Sequence, residues 1–77
     1  MKDLIETIVK SLVDFPDDVQ VHVHEEETRI TYQLSVNKSD MGKVIGKQGR
    51  VAKALRTVVY AAASSSQKKK TFLEISE

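Results

Sequence analysis

Gly46 and Gly49 enclose Lys47 and Gln48, and in this tetrad residue types and spacing suggest chemistry. Glycine has no β-carbon, so a chain can turn sharply there and a ligand backbone can come close. Lys47 adds a cation, and Gln48 adds an amide able to bond a phosphate oxygen or a base edge. The pattern beyond Gly49 predicts a helix, whose first N–H groups and dipole favour an anion. Two phosphate motifs fail on spacing. A P-loop needs four residues between its glycines and then Lys with Ser or Thr; Gly42 and Gly46 enclose three, and Gln48 follows Lys47. A dinucleotide fingerprint needs a glycine where Val44 stands, with a strand upstream. A bare pair of glycines at this spacing is often just a helix–helix turn. Lys43, Arg50 and Lys53 around it favour an anionic ligand instead.

Charge supports that choice. Residues 1–37 hold three cations against eight carboxylates, a net −5, while residues 38–77 hold nine against three, a net +6. Such polarity points to an anionic partner for the second half. Catalysis finds no foothold. The chain has no cysteine, which removes disulfides, thiol chemistry and Cys-based zinc sites, and no nucleophile–base pair stands out. His22 and His24 share one side of an alternating run but lack a defined third ligand, so they are expected to face solvent. No metal or cofactor is expected. No apolar run approaches the roughly 20 residues of a membrane span. Asp3 and Glu6 interrupt the stretch that a signal peptide would need, so a cytoplasmic location is expected.

The elements that must position the loop follow from periodicity in a chain of 77 residues, 40% of them hydrophobic. Leu4, Ile5, Ile8, Val9, Leu12 and Val13 recur with a 3.6-residue period and predict a helix over 3–14, with Ile8 and Leu12 mid-stripe in the core. Asp3 and Glu6 have the spacing of its cap, and Pro16 stops it. Val19, Val21 and Val23 then alternate with Gln20, His22 and His24. After Glu25-Glu26-Glu27 a second alternating run extends from Thr28 to Val36, which predicts an antiparallel hairpin. Ser39 or Asp40 is the expected cap of a short helix carrying Met41, Val44 and Ile45 inward. Beyond the glycines a helix is expected over about 50–64, buried through Val51, Leu55, Val58, Val59 and Ala62. The run from Ser64 to Lys70 reads as loop, and Leu73 and Ile75 mark a last strand. Two helices between the second and third strands make a crossover long enough for parallel pairing.

The string Val44-Ile45-Gly46-Lys47-Gln48-Gly49, followed by Leu55, resembles the Ile-Gly-x-x-Gly pattern of KH domains. The element order is similar to the type II variant over essentially the whole chain. The expected fold is therefore an α+β domain spanning 1–77, in the order α-β-β-α-α-β, with a three-stranded mixed sheet and three helices on one face. Length and the stretch from Asp40 to Arg56 resemble the small stand-alone bacterial KH proteins of the KhpA family. Ala52 departs from the pattern, since many KH domains carry a bulky aliphatic residue there. The resemblance implies a non-catalytic protein that clamps about four nucleotides of single-stranded RNA along their backbone. Lys43, Gly46, Lys47, Gln48, Gly49, Arg50 and Lys53 would hold it, and Val44 and Ile45 would either line the groove or belong to the core. Lys68, Lys69 and Lys70, at the variable-loop position, would extend the grip or simply be solvated. The resemblance further implies post-transcriptional control or RNA chaperoning, with links to cell division and envelope growth. It also implies a homodimer, or a pair with a larger KH protein of the KhpB (Jag) kind. Small residues such as Ala54 and Ala61 would let another helix approach, although alanine also simply favours helix. The other reading is a protein-interaction module that works through this helical face, its RNA groove vestigial.

Overall fold

A computed structural model describes residues 1–64 and 69–77. Helix α1 (Lys2–Lys10) leads through a single 3₁₀ turn (Pro16–Asp18) into the hairpin β1 (Gln20–Glu25) and β2 (Arg29–Ser35). Helix α2 (Met41–Ile45), a 3₁₀ turn (Lys47–Gly49), helix α3 (Arg50–Ser64) and strand β3 (Lys70–Ser76) complete the order expected from periodicity. β2 is the central strand, antiparallel to β1 and parallel to β3. Its register sets Val21 opposite Leu34, and Tyr32 and Leu34 opposite Leu73 and Ile75. One face of the sheet therefore collects the apolar residues. They join Ile5 and Val9 of α1, Val44 of α2, and Leu55 and Val59 of α3 in one core cluster.

Several expectations about the helices are corrected. α1 ends at Lys10, not residue 14, because Ser11 closes it: its N–H and hydroxyl both donate to the Ile8 carbonyl. Leu12 and Val13 thus leave the helical spiral. Ile5 and Val9 are fully buried, whereas Ile8 is half-buried and Leu12 is 42% exposed. Met1 sits at the N-cap position with no side-chain cap, and Asp3 acts only as an acidic residue in the first turn. α3 is turned by about one residue from the expected stripe. Ala52, Leu55, Val59 and Ala63 are buried; Val51 and Ala62 are half-buried, and Val58 lies outside. A small residue at 52 fits this rotation, since that position faces the packed interior. β3 begins at Lys70, so the last residue of the expected loop is strand.

Candidate nucleic-acid interface

The glycine tetrad is a tight 3₁₀ turn joining α2 to α3. Gly46 (φ 77°), Gln48 (φ 58°) and Gly49 (φ 74°) all adopt positive φ. Gly46 and Gly49 do so without steric cost, but Gln48 is held in a conformation that L-residues seldom take. Nothing in its residue type forecasts this. The two glycines also differ from each other. A β-carbon at Gly46 would lie 2.9 Å from the backbone nitrogen of Val51, while one at Gly49 would meet nothing within 4 Å. The first glycine lets the loop lie against α3, and the second serves the turn alone. The Gly49 N–H donates to the Gly46 carbonyl and the Arg50 N–H to that of Lys47. Two N–H groups expected to be free for a phosphate are thereby used within the turn, although the positive end of the 15-residue α3 still lies there.

The expected site residues divide by environment. Val44 is fully buried and belongs to the core, whereas Ile45 is 38% exposed and offers apolar surface beside the loop. Lys47, Gln48, Arg50 and Lys53 are exposed. Among the described residues, no carboxylate lies within ion-pair distance of Lys47, Arg50 or Lys53. Lys43 differs: its ammonium pairs with Asp14 and lies 4.0 Å from Asp40. Lys69 bonds Glu25 at 2.7 Å, and Lys70 opens β3 opposite Arg29. Both lie beyond the far end of α3, about 20 Å of helix from the loop. Lys68 lies outside the described residues. Ala54 and Ala61 are both exposed on α3, and Ala54 lines an open apolar groove with Ile8, Leu12, Val51, Leu55 and Val58.

The supporting roles of two residues were not visible in the sequence. Asp40 is fully buried, yet it caps no N–H of its own helix. Its carboxylate accepts the N–H groups of Asp14 and Phe15, each at 3.0 Å, and so fastens the α1–β1 connection to the start of α2. A buried carboxylate requires such partners. Asn37 caps the 3₁₀ turn that precedes α2 (Lys38–Asp40) instead, its side chain accepting the Ser39 N–H at 2.8 Å. A polar residue before a helix looks the same in sequence whether its side chain turns to its own helix or across the fold. Arg56 is half-buried and donates Nε–H to the Leu73 carbonyl at 3.4 Å, tying α3 to β3. The loop is thus delivered by a short helix anchored at its start and a long one anchored to the sheet.

The same arrangement occurs in known proteins. A structure of Era in complex with MgGDPNP and nucleotides of 16S ribosomal RNA superposes with a TM-score of 0.72 at 15% identity, over 97% of this chain and 28% of that one. That likeness concerns the fold. Closer in sequence is the RNA-binding protein KhpA of Listeria monocytogenes, 59% identical over 69 residues, or 90% of this chain and 91% of that protein. KhpA of Bacillus subtilis is 57% identical over 72 residues, covering 94% and 89%, and that of Clostridium acetobutylicum 59% over 69 residues, covering 90% and 92%. The family model for the KhpA/KhpB KH domain matches residues 2–75. With the family model matching residues 2–75 and relatives 57–59% identical over nearly the full length, the chain belongs to the KhpA/KhpB KH-domain family.

Proposed function

We propose that this chain is a non-catalytic, single-domain RNA-binding protein that holds single-stranded RNA at the loop between α2 and α3. The observation that carries this reading is the set of cations without an ion pair among the described residues, Lys47, Arg50 and Lys53, around a glycine turn at the N-terminus of α3. Phosphates would lie against these side chains, and Ile45 would supply apolar contact for a base. The names of its relatives support RNA as the ligand. A footprint of about four nucleotides gives weak, salt-sensitive affinity, so useful binding would depend on pairing with a second domain. The resemblance to the KhpA family adds post-transcriptional control or RNA chaperoning in the cytoplasm, with links to cell division and envelope growth, as the role of that binding. Ultraviolet crosslinking to uridine-rich RNA, followed by peptide mapping, tests the site. Adducts are expected within 43–53; adducts confined to α1 would remove the reading.

The apolar groove between α1 and α3 favours an added protein contact. Its lining of Ile8, Leu12, Val51, Ala54, Leu55 and Val58 is the kind of surface that a second helix covers. A second copy, or a KhpB (Jag)-like KH protein, would fit there and would supply the second RNA-binding domain. Ala54→Arg should shift sedimentation of a concentrated sample to the monomer while leaving the melting temperature nearly unchanged. A wild type that sediments as a monomer at high concentration would exclude the homodimer.

A further inference from the structure

The face of the sheet turned away from the helices holds one feature that neither the core nor the glycine loop uses. Alternation along β2 and β3 turns Arg29, Thr31 and Gln33 outward beside Lys70, Phe72 and Glu74, in facing pairs. Phe72 is 40% exposed. The other exposed large hydrophobic residues lie on helices, in connections or, for Val23, on the helix side of the sheet. That aromatic surface meets water on a face otherwise lined by polar side chains, where the core makes no use of it.

We propose that this open face is a second contact surface for single-stranded RNA, with Phe72 as the platform for one unstacked base. The proposal rests on the reading of the chain as an RNA-binding protein. A phenyl ring stacks on any base, which suits binding without sequence preference. Charge on the face suits the same ligand. Lys70, two residues before the ring and about 6.6 Å along the strand, has no ion-pair partner among the described residues. Arg29, opposite Lys70, uses Nε on Glu26 at 3.1 Å, which leaves its two terminal amino groups without a partner among the described residues. Glu74 is the only carboxylate among the outward residues of the three strands. Polar groups able to read a base edge stand beside the ring. Thr31 is directly opposite, and Gln33 bonds His24 Nε2 through Oε1 at 3.0 Å, so its amide N–H groups remain to donate. One nucleotide can therefore stack on Phe72 with its phosphate beside Lys70 and Arg29.

Because this face lies apart from the glycine loop, RNA length separates the two surfaces. Binding of uridine oligomers of about four and about fifteen nucleotides should be measured for the wild type, Phe72→Leu and Phe72→Tyr. Phe72→Leu keeps an apolar side chain in the strand but removes the ring, and Phe72→Tyr keeps the ring. The Leu variant should bind the long oligomer about fivefold or more weakly, with the short one unchanged, and the Tyr variant should match the wild type. Unchanged long-oligomer affinity in Phe72→Leu would overturn the proposal, as would an equal loss on both lengths. Loss of a dimer in that variant would assign the face to a second copy and overturn it as well. The double variant Lys47→Asp, Gln48→Asp tells the two surfaces apart. If it alone loses binding, the glycine loop stands and the sheet proposal falls; if Phe72→Leu alone does, the sheet stands and the loop falls.

Discussion

At the scale of the residue, Gly46 and Gly49 share a positive φ, yet substitution at the two should not cost the same. Alanine at either position meets the left-handed penalty of about 1–2 kcal/mol. At Gly46 the added carbon also presses on the Val51 backbone, so α3 must shift or the turn must open. Gly46→Ala should therefore lose roughly 2–4 kcal/mol and Gly49→Ala about 1, measured by urea unfolding. Equal losses would contradict the close approach of the loop to α3. The spacing of the glycines announced a turn between helices, but it did not distinguish these roles. That difference depends on where Val51 lies, which only the packing of α3 decides.

Elements were more legible than their boundaries. Alternation along Val19–Val23 and Thr28–Val36 placed both strands of the hairpin, because a period of two has only one sensible burial. The long crossover implied the parallel pairing of β2 with β3. Helical stripes left more freedom. Six apolar positions between Leu4 and Val13 are more than one helix face can bury, so the pattern did not say which pair points inward. Ser11 ended the helix first, and Ile5 and Val9 took the core. Ile5→Ala should cost about 2–5 kcal/mol, while Leu12→Ala, at an exposed site, should cost under about 1. Thermal melts that reversed this order would show that α1 packs in another register. The same reasoning explains α3, where Leu55 and Val59 are inside as expected, but the stripe turned from Val51 and Val58 toward Ala52 and Ala63.

Over the whole molecule, the charge split between the two halves of the chain gave the sign of the ligand but not its place. Folding interleaves the halves. Asp14 lies against Lys43, and Glu25 bonds Lys69. Linear counting cannot see such pairing, so it weighted Lys43, Lys69 and Lys47 alike. Among the described residues, what remains without an ion pair at the α2–α3 turn is Lys47, Arg50 and Lys53, and there the fold also presents a positive helix end. Charge reversal within this turn tests most directly whether it holds the RNA. Lys47 and Gln48 are exposed, and aspartate tolerates the positive φ of position 48, so changing both to Asp disturbs no core contact. Affinity for a short single-stranded RNA should collapse while circular dichroism and melting temperature hold. Wild-type binding should fall with salt at a log–log slope of about −2 to −3.5, the mark of three to five phosphate contacts. A folded double variant that binds the short RNA as tightly as the wild type would contradict the account.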